Sequence, residues 1–134
     1  MTLRRGFPPS VVARLGGYDP AALEAALGVP DLDAVPIRRA PRWLERAWRR
    51  QVSAMTLPWG IFVRRDVLGG APGPLARLLV HELVHVRQWR EFGTLGFLRR
   101  YLADYFRGRR KGLGHTAAYL AIRFEVEARE LSGA

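Results

Sequence analysis

The sequence predicts an α+β domain that is mostly helical, with a small hairpin or pair of sheet-edge strands ahead of its central helix. Three observations carry this. A chain of 134 residues with 49% hydrophobic content is long enough for one core and too short for two ordinary domains. Apolar residues recur at helical spacing in most of its segments. Only residues 52–67 turn β-prone, with Met55-Thr56-Leu57 and Ile61-Phe62-Val63 flanking Pro58-Trp59-Gly60. We therefore expect one domain over 1–134, with an arm and helices in 1–50 and the core in 51–134.

In chain order, residues 1–18 carry Pro8, Pro9, Gly16 and Gly17 and read as an arm wrapping the domain. Asp19-Pro20 supplies a capping carboxylate followed by proline at the first helical position, opening a helix through Leu27 that stops at Gly28. Residues 29–41 hold three prolines and read as a linker. A helix starting at Pro41 has Trp43, Leu44, Ala47 and Trp48 as its apolar stripe, and both tryptophans are expected in the core. Pro58 lacks an N–H and suits a sheet edge. A Gly/Pro loop over 68–74 leads into a helix from Pro74 to Phe92, stopped by Gly93. Gly96–Phe106 gives an amphipathic helix whose one acid, Asp104, is expected to pair with Arg100 or Arg107 rather than orient a histidine. Arg107-Gly108-Arg109-Arg110-Lys111-Gly112 reads as a solvated loop. Thr116 is expected to cap a last helix running through Leu131.

Within the Pro74 helix lies Leu78-Leu79-Val80-His81-Glu82-Leu83-Val84-His85-Val86. At about 100° per residue His81 and His85 are offset by only about 40°, so both rings reach one metal ion from the same side. Glu82 is offset by about 100°, beside that metal, where a carboxylate can hydrogen-bond the water the metal activates. With 3 His among 134 residues, a shuffled chain would contain this His-Glu-x-x-His pattern with a probability of only roughly 0.003. The apolar neighbours bury the helix, and buried imidazoles and carboxylates need partners.

Composition bounds the chemistry. Zero Cys excludes disulfides, thiolate zinc ligands and a thiol nucleophile. No run approaches the ~20 apolar residues needed to span a bilayer, and the basic N-terminus is followed by no apolar h-region, so a soluble, cytoplasmic protein is expected. A net charge of +10 invites a nucleic-acid partner, but 21 of the 22 basic residues are Arg spread largely through amphipathic helices, where their stems cover apolar surface. Nucleic acid is therefore the less favoured partner and a peptide or protein substrate the favoured one. The oligomeric state is left open.

A catalytic zinc needs a third protein ligand besides His81 and His85, and the last helix offers Glu125, Glu127, Glu130 and, before its start, His115. His81-Glu82-x-x-His85 followed by Phe124-Glu125-Val126-Glu127-Ala128-Arg129 resembles the zincin metallopeptidases of the gluzincin branch. His85-Val86-x-Gln88 and Ile61-Phe62-Val63-Arg64 resemble more narrowly small bacterial metallopeptidase-like domains, some associated with contractile injection systems. The resemblance covers about residues 52–131, and the acid often found four positions after the ligand Glu is Arg129 here. It implies a Zn2+ peptidase with Glu82 as general base and a peptide received by edge pairing on the strand around Ile61–Arg64. Tyr119 and His115 are candidate oxyanion stabilisers. The Glu-x-x-Ala pattern of the family picks Glu125 as the third ligand. So does a helical wheel, which places Glu125 about 60° from the centre of the stripe Ala117, Ala121, Phe124, Ala128 and Leu131; Glu127 is the alternative. Two other classes compete: a non-catalytic zincin-like module that binds a protein partner, and a basic DNA-associated protease in the manner of the SprT-like group. The intact Glu82 argues against the first, and salt-dependent retention on DNA would favour the second.

Overall fold

The computed structural model describes residues 8–48 and 52–133. The first seven residues of the expected arm, and the expected boundary between residues 50 and 51, lie outside them. The architecture is α+β and mostly helical: α1 (Pro9–Leu15), α2 (Pro20–Leu27), a 3-10 turn (Leu32–Ala34), β1 (Ile37–Arg39), α3 (Arg42–Trp48), β2 (Ala54–Leu57), β3 (Gly60–Val63), α4 (Arg65–Leu68), α5 (Pro72–Arg110), α6 (His115–Leu120) and α7 (Arg123–Ser132).

Within residues 8–18 the expected arm is instead a helix. Pro8-Pro9 opens α1, which buries Val12 and Ala13 in one core cluster with Leu27, Val35, Ile37, Ile61 and Leu83. Asp19 caps α2 by accepting from the Ala21 N–H, and Gly28 ends it at φ 66°. The expected linker contains a third strand: β1 pairs in parallel with β3 through Ile37–Ile61 to Arg39–Val63. Three prolines hid it, because they flank rather than interrupt the strand, and only the parallel partner completes its hydrogen bonds. Trp48 is buried in α3, whereas Trp43 is 70% exposed and is no core anchor.

β2 and β3 form the expected hairpin, with Pro58-Trp59 at the turn. The strand order β1-β3-β2 puts β3 in the centre and β2 at the edge, so the strand around Ile61 cannot accept an added peptide. Ile61 N–H donates to Pro36 and Val63 C=O accepts from Ala40, both on the β1 side. Their partners Ala54 and Thr56 therefore form non-hydrogen-bonded pairs and turn their backbone groups toward the outer edge.

α5 is two limbs, residues 72–92 and 94–110, broken at Gly93 (φ 70°, ψ 169°), a conformation essentially reserved for glycine. Along an unbroken helix Phe97 would lie about 18 Å from His85. Their ring centroids are 6.5 Å apart, and Phe97 stacks on Trp89 at 4.0 Å, so the second limb folds back over the first. Phe97 also stacks on Phe124 at 4.9 Å, which fixes α7 against both limbs. The former basic loop is helical to Arg110. There Gly108 packs so close to Ala118 that a Cβ would sit 3.2 Å from its Cα.

The last helix is interrupted. Thr116 does not cap it; α6 starts after Gly114, and Ile122 is the N-cap residue of a separate α7. The break changes the helical phase. Glu125, Ala128 and Ser132 face inward, while Ala117, Ala121 and Leu131 of the expected apolar stripe are exposed.

Candidate metal centre

The limb 72–92 presents His81 and His85 on one face, as their spacing dictates, with ring centroids 5.1 Å apart. α7 brings Glu125 between them: Oε2 lies 3.3 Å from His81 Nε2 and Oε1 lies 3.1 Å from His85 Nε2. Ligand atoms of these three residues all lie within 4.8 Å of one another. Glu125 and His85 are buried, and His81 is partly exposed.

Gln88 sets the tautomer of His85. Its amide nitrogen donates to Phe124 C=O at 3.0 Å and to Glu127 at 3.1 Å, so its Oε1 faces His85 Nδ1 at 2.8 Å and accepts that N–H. His85 Nε2 is then the nitrogen aimed at the cluster, as a metal ligand requires. Burial opposes a charged His85, but the hydrogen bond to Glu125, the charges of Glu82 and Glu125 and the bond to Gln88 raise it from 6.5 to about 9. Burial would likewise push Glu125 upward, yet the hydrogen bonds from His81 and His85 hold it well below the usual carboxylate range. The same pairing that favours a charged His85 favours an ionised Glu125 between the two rings. A divalent ion bound by these donors would compete with a proton for His85 Nε2.

Glu82 is buried beside the cluster. Its Oε2 accepts from Thr56 Oγ1 at 2.5 Å, which ties it to the edge strand β2, and Trp89 Nε1 donates to Thr56 C=O at 3.1 Å. Tyr101, on the second limb, donates to Glu125 Oε1 at 3.1 Å, and Tyr119 lies near enough to feel the charge of the same carboxylate. Burial first and then the charge of Glu125 push both phenols above their ordinary value, so both remain donors.

The other expected residues lie elsewhere. Glu127 pairs with Arg87 at 2.5 Å and with Gln88, turned away from both histidines. His115 is exposed and bonded to Tyr105 Oη at 2.8 Å, outside the cluster. Arg129 donates to the Leu120 carbonyl, so Glu125 does not share it as an i+4 partner. Thr56, Gln88 and Tyr101 were not singled out as site residues. Gln88 was findable, since it stands one turn from His85; Tyr101 was not, because only the reversal at Gly93 brings it to Glu125.

Asp104 positions α7. It accepts from Arg107 at 2.9 Å, as expected, but its other bonds are to Arg123: the backbone N–H at 3.1 Å and the guanidinium at 3.0 and 3.1 Å. Arg100 instead lies over the Phe92 ring. Since Arg123 is the first residue of α7, Asp104 caps from a distance the helix that carries Glu125. Burial opposes its charge, but the bonds from Arg123 and the nearby Arg107 hold its carboxyl below 3.8. A depressed folded-state value means that this stabilisation is present above about pH 3.8 and is lost as pH falls through the folded value. Asp104→Asn is expected to cost about 1–2 kcal/mol at neutral pH. Acid titrations of both proteins should show the deficit shrinking below about pH 3.8; a deficit independent of pH would remove the charge from the account.

Comparison of the chain with known protein families, curated proteins and solved structures returns no match.

Proposed function

We propose that this chain is a zinc-dependent metallopeptidase of the zincin type, with His81, His85 and Glu125 as the zinc ligands. The observation that carries the reading is the convergence of these three donors with Glu82 at their side. Two imidazoles and one carboxylate without thiolates match the donor set of a catalytic zinc. The contacts of 3.1 and 3.3 Å resemble the ligand separation in a tetrahedron of ~2.0 Å bonds, roughly 3.3 Å. Bound there, zinc would polarise the scissile carbonyl and bring the pKa of water toward ~7.

The chain's own residues supply the remaining parts. Glu82 takes the proton from the attacking water and hands it to the leaving amine, with Thr56 fixing the rotamer of its carboxylate. An extended peptide adds to the outer edge of β2, where Ala54 and the Thr56 N–H offer backbone partners, while Trp89 occupies the Thr56 carbonyl. At the hairpin end of the sheet, between Val35 and Pro36 on one side and Trp89 and Arg90 on the other, lies a cleft of about 290 Å³ that also includes Leu57 and Trp59, suited to an apolar or aromatic side chain of the substrate. Tyr119, half-exposed beside Glu125, is the donor placed to stabilise the oxyanion. Among the described residues no helix is long and apolar enough to cross a membrane.

Elemental analysis of the purified chain should find about one zinc per chain, and a chelator should abolish cleavage of a generic peptide library. Iron in place of zinc, or zinc retained in full by both His81→Ala and His85→Ala, would overturn the assignment.

A further inference from the structure

The second limb of α5 has two faces, of which the metal centre uses one. On a helical wheel with Leu95 at 0°, the buried residues Phe97, Asp104 and Gly108 fall at about 180–220°. On the far side Leu95, Leu98, Leu102 and Phe106 make an unbroken row within an arc of about 80°. They are 73%, 41%, 48% and 54% exposed. The spacing i, i+3, i+7, i+11 is that of a docked helix face, yet no described residue covers it.

Charge identifies what would cover it. Arg99 and Arg110 flank the row at about 40–60°, and Arg109 and Lys111 stand at its C-terminal end, all four exposed. The sole acid in residues 94–111 is Asp104, buried on the opposite face and held by Arg107 and Arg123. An apolar row bordered along one side and at its C-terminal end by basic residues, with no free carboxylate, is complementary to a surface with a hydrocarbon interior and anionic headgroups. Leucine and phenylalanine enter the acyl boundary while guanidinium groups on long stems reach phosphates. Nucleic acid would use the arginines but leave the central row without a partner.

We propose that residues 94–111 dock the domain on anionic phospholipid membranes, lying in the interface without crossing it. Tyr101 faces Glu125 from the same limb, so docking holds the metal centre close to the bilayer surface. The docking rests on no assumption about catalysis, and its test reads no turnover.

The test is sedimentation of the full chain with phosphatidylcholine vesicles containing or lacking about 30% phosphatidylglycerol, a probe for the surface charge that basic residues read. Binding to the anionic vesicles alone is expected, falling roughly tenfold between about 0.1 and 0.5 M salt. Leu98→Asn with Leu102→Asn should weaken it at least about tenfold, with unchanged circular dichroism because both side chains are already exposed. Arg99→Gln with Arg110→Gln should weaken it several-fold. Absence of vesicle binding, or binding untouched by the leucine replacements, would overturn the proposal. So would a dimer that the leucine replacements dissociate in a chain that ignores vesicles, which assigns the row to a second copy. Retention on duplex DNA without vesicle binding would assign the arginines to phosphate chains instead.

Discussion

Glu82→Gln is expected to leave the fold and the zinc content intact while lowering peptide hydrolysis by about 10³-fold or more. The substitution is close to isosteric. Thr56 Oγ1, 2.5 Å from Oε2, still finds a carbonyl oxygen to donate to, so β2 and the first limb of α5 stay joined. What is lost is the lone pair basic enough to accept a proton from water, since an amide oxygen is a poor base. The side chain is buried beside His81 and His85 and makes no ligand contact with Glu125, so zinc occupancy should not follow activity down. Parallel measurement of zinc and turnover separates the roles. Unchanged turnover on any substrate cleaved by the native chain would remove the general-base role, and loss of zinc together with activity would make Glu82 a ligand.

Glu125→Ala is expected to weaken zinc binding by at least about 100-fold, whereas Glu127→Ala should change it by less than about tenfold. Both acids stand on α7 two residues apart, on different faces. Glu125 spans the two imidazoles, and its removal leaves His85 buried without the carboxylate that raises it to about 9. Glu127 reaches the centre only through Gln88, whose amide keeps a second acceptor at Phe124 when Glu127 is gone. A competitive zinc titration of the two variants checks this. Equal losses would mean that Glu127 orients His85 through Gln88 more strongly than the geometry implies, and a loss confined to Glu127→Ala would reverse the assignment.

Local signals carried much of the architecture because they depend on a few neighbouring residues. Asp19-Pro20 and Gly28 bound α2 where the capping chemistry puts them, and Gly93 ends the first limb of α5 where a positive φ is needed. The pairing of His81 with His85 follows from helical geometry alone. Local signals fall short where the partner is remote. β1 has three residues and little periodicity, and it is a strand only because β3 runs parallel beside it. Trp43 sits in an apolar stripe with Trp48 yet stays in solvent, since a wheel gives a direction but not the element, if any, that covers it. A wheel that sets Glu125 beside Ala117 and Ala121 requires one continuous last helix. The helix breaks at Ala121–Ile122, and Glu125 faces inward through the row Glu125, Ala128 and Ser132 instead.

The sequence by itself determined the chemistry available: two imidazoles one helical turn apart, a carboxylate beside them and no thiolate, because residue type and the 3.6-residue turn set these without reference to the rest of the chain. The tertiary structure decided which acid meets them and what holds each group in place. The reversal at Gly93 brings Tyr101 back to Glu125, and Asp104 fixes the start of α7. Thr56 on β2, 26 residues upstream, fastens Glu82. Such contacts join residues far apart in the chain, so their existence depends on how whole elements pack and not on any local preference of the residues that make them.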